Sequence, residues 1–170
     1  MKELIYNEYN IKDSEINNII ARAKIILINN NNEILLANSN NSYYLIGGHV
    51  DNNETDIETI KRETLEETGI ELNIRKLEAF FSIIYKTKGY PKNELNTKYI
   101  SNYYYMKCND KINYNNTNLT EGEIKENFRL QYVHIDNILG LLKDNLKISP
   151  RPNVVNDTIN VIEEFIKIYK

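Results

Sequence analysis

The sequence has one cysteine, no apolar run long enough to cross a membrane and no excess of positive charge, and each scarcity excludes something. Cys108 alone cannot close an internal disulfide, and so thiol-poor a chain fits a reducing, cytoplasmic setting. A small core residue accounts for it better than a reactive thiol does. A membrane-spanning helix needs about 18 or more consecutive apolar residues, and none occur. Residues 1–10 carry Glu3 and Glu8 and lack the apolar stretch of a secretion signal. Lys and Arg number 21 against 24 Asp and Glu, a formal charge of −3. A protein that grips a nucleic-acid backbone needs a basic face, so neither nucleic acid nor membrane is expected as a partner. A small phosphorylated ligand stays compatible, because a divalent cation can offset its charge locally.

What is present is enough for a core. The 170 residues, 41% of them apolar, fit a single domain over residues 1–170. Residues 1–18 read as an N-terminal extension with no assigned structure, and a homodimer is left open. Asparagine is abundant, in runs such as Asn29–Asn32 and Asn113–Asn116. These runs are short and separate apolar segments, which fits turns, where Asn tolerates left-handed backbone, better than a low-complexity segment. Ala21–Ile28 and Glu33–Ala37 predict a hairpin across the first run, and Tyr43–Ile46 a third strand stopped by Gly47 and Gly48. Ile74–Tyr85, Tyr99–Met106 and Phe128–Ile135 predict further strands, with polar connections over 86–98 and 109–127. Ile138–Leu146 and Val154–Tyr169 predict helices. Strands interleaved with a few helices point to an α/β or α+β sandwich.

The most informative stretch is residues 48–70, GHVDNNETDIETIKRETLEETGI. Thr55 and Glu58 form a capping-box pattern, and Gly69 stands where a left-handed C-cap belongs. The helix between them turns Ile57, Ile60 and Thr64 to one face. Glu63, Glu66 and Glu67, at i, i+3 and i+4, present three carboxylates together. Like charges at that spacing repel unless something positive lies between them. Carboxylate oxygens are hard donors of the kind that bind magnesium, so the cluster asks for a divalent cation. Arg62 can brace it from the flank, and Glu54 can reach the same network. Gly47 and Gly48 let the backbone come close to a ligand. An arbitrary glutamate-rich helix would present a solvated face; here the flanking residues keep register as well.

That register resembles the Nudix box: Gly, five residues, Glu, seven residues, Arg-Glu, an aliphatic, any residue, Glu-Glu, any residue, Gly, an aliphatic. Gly48, Glu54, Arg62, Glu63, Glu66, Glu67, Gly69 and Ile70 match, and Thr64 departs, standing where an aliphatic is usual. The resemblance implies a Nudix-type α/β/α sandwich with a mixed β-sheet, over roughly residues 20–146. It implies hydrolysis of a diphosphate linkage in a nucleoside diphosphate derivative by attack of water on phosphorus, with a small phosphorylated substrate and Mg2+, or Mn2+ in its place. By the same resemblance Glu63, Glu66, Glu67 and the Gly47 carbonyl hold the metal, Arg62 orients the carboxylates, and Glu63 is the first candidate for general base. A glutamate outside the box often serves instead; Glu121, Glu123 and Glu126 are the candidates, with Glu123 ahead. A non-catalytic Nudix-fold nucleotide sensor is the alternative, although such proteins usually lose box carboxylates. The box does not choose the substrate, because specificity lies in loops outside it. Among weaker signals, His49 suits a phosphate contact or a turn, and His134 a surface or satisfied core position. Tyr43 and Tyr44 suit the cleft border. Lys86, Lys88, Lys92 and Arg129 suit a solvated face, and Tyr103–Tyr105 packing.

Overall fold

The computed structural model describes residues 1–74 and 77–169. Eight strands form one mixed sheet: β1 (Lys2–Tyr6), β2 (Asn18–Ile28), β3 (Glu33–Ser39), β4 (Ser42–Tyr44), β5 (Ile46–His49), β6 (Phe81–Lys88), β7 (Asn96–Lys107) and β8 (Arg129–His134). The main path runs β1-β6-β7-β2-β3-β4, with β5 paired to β2 and β8 to β3. The β1–β6 and β2–β7 pairs are parallel and the others antiparallel. Among the described residues there are four α-helices: α1 (Asp56–Thr68), α2 (Glu121–Lys125), α3 (Ile138–Leu146) and α4 (Pro152–Tyr169).

The central strand β2 shows how the layers are made, because successive side chains point to opposite faces. Ala23, Ile25 and Leu27 join Ile60, Ile70 and Leu72 in the core beneath α1. Ile26 and Ile28 join Ile138 and Leu142 of α3 and Val155, Ile159, Ile162 and Phe165 of α4. Burying one such side chain fully contributes roughly 1.5–3 kcal/mol, so both faces must be covered. The result is the expected α/β/α sandwich.

Several local expectations hold. The β2–β3 turn is closed by Asn29, whose Oδ1 accepts from the amides of Asn31 (2.9 Å) and Glu33 (3.0 Å). Six asparagines, Asn32 among them, take positive φ. Cys108 is buried and free. Tyr103 and Tyr104 are buried while Tyr105 faces outward.

Other boundaries differ. Gly47 and Gly48 do not stop a strand; Leu45 breaks the expected one, and both glycines lie inside β5. The strand expected from Ile74 begins at Phe81, with Arg75 and Lys76 of that expectation outside the described residues. Ile74 is buried under α1 without joining the sheet. The polar connection expected over 86–98 shrinks to 89–95, because Lys86–Lys88 pair with Asn96–Lys98 and carry the ladder beyond the apolar stretch. Residues 1–18 contribute β1, whose five residues are too few and too exposed to announce a strand. The loop expected over 109–127 contains α2.

Candidate active site

The local structure of α1 follows its punctuation. Thr55 Oγ1 accepts from the Glu58 amide, Glu58 accepts from the Thr55 amide (2.7 Å), and Gly69 ends the helix at φ 69°. Of the apolar face, Ile60 and Thr64 are fully buried and Ile57 is half-buried. Glu67, four residues after Glu63, turns inward and is 3% exposed. Its Oε2 accepts from the Gly47 amide at 3.0 Å. Glu66 stays at the flank.

Arg62 organises the acidic residues. Its Nε donates to Glu54 (2.7 Å), its Nη1 to Glu63 (2.7 Å) and Glu66 (3.3 Å), and its Nη2 to Glu54 (2.9 Å) and the His49 carbonyl (3.1 Å). Among the described residues no three His, Cys, Asp or Glu side chains already converge as a cage; Arg62 holds Glu63 and Glu66 instead. The guanidinium pulls the Glu54 carboxyl down to about 2.

Two glycines bring α1 against the sheet. Gly47 lies opposite Lys24 and Gly48 opposite Ala23 in the β2–β5 pair. Gly47 has φ +125°, which a side chain rarely tolerates. A Cβ on Gly48 would lie 2.1 Å from Glu63 Oε1, so that carboxylate occupies the space the missing side chain leaves.

The outcome is a cleft of about 480 Å³ lined by both acidic and basic side chains. Glu63, Glu67, Glu123 and Asp51 line it together with Arg22, Lys24, Arg62 and Arg151. Burial pushes the carboxyls of Glu63 and Glu67 up and the Lys24 ammonium down. Lys24 Nζ lies 5.1 Å over the Tyr44 ring and 3.4 Å from the Leu45 carbonyl. The Arg22 guanidinium lies 3.2 Å from His49 Nε2. Guanidinium only donates, so His49 accepts there and is neutral; burial, Arg22 and Lys24 all lower its pKa. Among the described residues neither Arg22 nor Lys24 has a carboxylate within ion-pair distance. A larger hollow, about 910 Å³, opens beside α1 around Lys61, Leu65 and Leu72 and shares Arg62 with the cleft.

A family model described as NUDIX domain matches residues 19–152. The chain belongs to the Nudix family. It is a Nudix hydrolase, and its reaction is hydrolysis of a pyrophosphate-containing substrate. No curated protein sequence matches. Similar solved structures include a MutT protein from Methanosarcina mazei Go1, 18% identical over 88% of this chain and 96% of that one, with a TM-score of 0.58. A NUDIX hydrolase from Nitrosomonas europaea is 18% identical over 87% of this chain and 88% of that one, at TM-score 0.58. The Ap4A hydrolase of C. elegans is 14% identical over 89% of this chain and 99% of that one, at TM-score 0.51. At these identities the likeness is one of fold.

Within the Nudix box, then, the cleft gathers Gly47, Gly48, Arg62, Glu63 and Glu67, and leaves Glu66 outside its lining. Of the three carboxylates expected on one face, Glu63 and Glu67 line the cleft, and Arg62 Nη1 holds both Glu63 and Glu66. The Gly47 amide serves Glu67. Of the three glutamates before β8, Glu123 lines the cleft. Its Oε2 also caps α2, accepting from the amide (2.6 Å) and hydroxyl (2.8 Å) of Thr120. Glu121 faces Lys125, and Glu126 holds Ser39. Tyr44 borders the cleft and Tyr43 does not. Lys86, Lys88, Lys92 and Arg129 lie elsewhere, Lys86 paired with Asp13 at 3.0 Å. His134 sits at the surface, 3.5 Å from Asp136. Sequence reasoning missed Arg22, Lys24 and Arg151. For Arg22 and Lys24 a signal existed: two cations at i and i+2 share one face of an otherwise apolar strand. For Arg151 there was none, since its place depends on where α4 docks.

Proposed function

We propose that this Nudix hydrolase is a Mg2+-dependent enzyme, with Mn2+ as a substitute. It would cleave a diphosphate linkage in a nucleoside diphosphate derivative, such as a nucleoside triphosphate or nucleotide sugar, by attack of water on phosphorus. The observation that carries this reading is the mixed charge of the cleft. Buried Glu67 and half-buried Glu63 line it together with Arg22 and Lys24, neither of which lies within ion-pair distance of a carboxylate among the described residues. A diphosphate with a divalent cation is the kind of ligand that satisfies both kinds of charge at once.

The donor set fits such a cation. It consists of hard oxygen donors, and burial raises the proton affinity of Glu63 and Glu67. Glu63, Glu66, Glu67 and the Gly47 carbonyl would hold it. When bound, it supplies charge neutralisation at the diphosphate oxygens and a lowered pKa for water. Arg22 and Lys24 would bind the remaining phosphate charge. Arg62 would keep the carboxylates in place through its bonds to Glu54, Glu63 and Glu66. Glu63 is our first candidate to take the proton from the attacking water, and Glu123, the cleft glutamate from outside the box, is the second.

The test is release of phosphate, through an added pyrophosphatase or phosphatase, from a panel of nucleoside triphosphates, nucleotide sugars and dinucleoside polyphosphates. EDTA should abolish turnover and Mg2+ restore it. Glu67→Gln should lower turnover by about a hundredfold or more, as loss of a preorganised transition-state charge does. Full activity in metal-free protein would overturn the metal reading, and wild-type turnover in Glu67→Gln the choice of ligands.

A further inference from the structure

The helix that carries Glu123 is held locally by its Thr120–Glu123 cap and little else of its own. α2 has five residues and buries none of them, and its one large apolar side chain, Ile124, is 63% exposed. So short a helix is marginal in isolation. The segment before it is fastened to the end of α1, where Asn113 donates to the Thr68 carbonyl and Asn118 to the Glu66 carbonyl, both at 2.9 Å. At its far end Glu126 fastens it to the β3–β4 turn. The Glu126 carbonyl accepts from the Asn40 amide (2.8 Å), and its Oε2 accepts from Ser39 Oγ (2.6 Å) and lies 3.5 Å from Arg151 Nη1.

Arg151 is built into this corner. It precedes α4, its Nη2 donates to the Ser39 carbonyl, and its guanidinium lies 5.6 Å over the Tyr44 ring. Its amide donates to Ser149 Oγ (3.0 Å), which in turn meets Ser42 Oγ (2.7 Å). The planar fork of arginine can serve two acceptors and a ring at once, which lysine cannot. One side chain therefore ties the last helix, the β3–β4 turn and the end of α2, while lining the same cleft as Glu123.

We propose that Arg151 is a positioning residue that, through Glu126, fixes α2 over the cleft and so sets the place of Glu123. This rests on the reading of Glu123 as a group that works in the reaction. In the full chain without substrate, Arg151→Ala should speed amide hydrogen exchange over residues 120–127 at least about tenfold and leave α1 and α4 unchanged. Glu126→Gln should do the same more weakly, and it keeps the proposal testable should Arg151→Ala not fold. On the best substrate of the panel, Arg151→Ala should lower kcat about tenfold with KM nearly constant, and Arg151→Lys should restore part of it. In a Glu123→Gln background Arg151→Ala should lower kcat no further. Unchanged exchange over 120–127 would overturn the proposal. So would a rise in KM at constant kcat, or full multiplication of the two kcat losses, either of which would make Arg151 a substrate contact. Were Glu123→Gln itself to keep wild-type turnover, the reading of Glu123 would fall, and the exchange measurement alone would decide whether Arg151 positions α2.

Discussion

The two helices that cover the sheet bury opposite kinds of surface. α4 turns Val155, Ile159, Val161, Ile162 and Phe165 inward with one polar residue, Thr158. α1 buries Ile60 with Thr59, Thr64, Glu67 and Thr68. Beneath α4, Phe165 lies among the rings of Phe80, Tyr105 and Tyr169, with centroids 6.1, 5.3 and 5.0 Å away. Beneath α1, a buried carboxylate hangs on one backbone amide. Burying a charge is unfavourable unless it is paired, so α1 stores a deficit that a cation would relieve, while α4 supplies the apolar burial that lets the fold carry it.

The sharpest test of that division removes the largest apolar contribution. Phe165→Ala should lower stability by about 3–5 kcal/mol, the usual result of emptying an aromatic core site, measured by urea unfolding of the metal-free protein. Well below its melting point the variant should still turn over at near the wild-type rate, because Phe165 does not line the cleft. Loss of turnover equal to that of Glu67→Gln, in a variant still folded by circular dichroism, would erase the contrast.

The second test acts on α1 and runs the other way. Glu67→Gln keeps an oxygen for the Gly47 amide and removes the buried ionisable carboxyl. Turnover should fall by about a hundredfold or more, while metal-free stability stays equal or rises. The sign of the pH dependence follows from the raised pKa of Glu67, pushed to about 8 by burial. Between an unfolded carboxylate near 4.3 and that folded value, the native protein keeps a proton the unfolded chain releases. Metal-free stability therefore falls as pH rises through this window, by at most about 1.4 kcal/mol per pH unit from this group. In EDTA, the wild-type curve should slope downward from pH 5 to pH 7.5 relative to Glu67→Gln. Parallel curves would mean that Glu67 is ionised at no cost, and the deficit ascribed to α1 would vanish.

The same contrast explains what could be read from the chain. α1 was legible to the residue because its signals are local: Thr55 and Glu58 bond one another, Gly69 takes the left-handed turn, and helical spacing sets Glu63 beside Glu67. The bonds of Arg62 to Glu54 and the His49 carbonyl were not legible, since they depend on how the loop before α1 folds back over it. β1 and the full length of β6 and β7 were missed because polar residues such as Lys86 and Lys98 pair through backbone groups that carry no sequence signature. Arg22 and Lys24 were hidden by the apolar strand around them. Arg151 and Glu126 meet only because α4 and α2 converge on the β3–β4 turn, a long-range contact that no window of sequence contains.

The smallest effect expected comes from the one box position that departs from the family pattern. Thr64 is fully buried beneath α1, and its Oγ1 has no hydrogen-bond partner among the described residues. A buried hydroxyl left unpaired costs about 1–3 kcal/mol. Val has nearly the same shape and is also β-branched, so Thr64→Val should raise the unfolding free energy by about 1 kcal/mol, with kcat unchanged. Thr68 is the control, one turn later on the same helix and equally buried. Its hydroxyl donates to the Thr64 carbonyl at 2.6 Å and accepts from the Ile70 amide at 3.1 Å. Thr68→Val would leave that amide unpaired and should lower stability by about the amount Thr64→Val raises it. The two variants make the same chemical change a helical turn apart, so helix propensity and added apolar surface nearly cancel between them. Opposite signs would show that the polar underside of α1 is tolerated only where each group has a partner. Equal signs would mean that hydrogen bonding does not decide the stability of this face, and Thr64 would then be an ordinary substitute for an aliphatic residue.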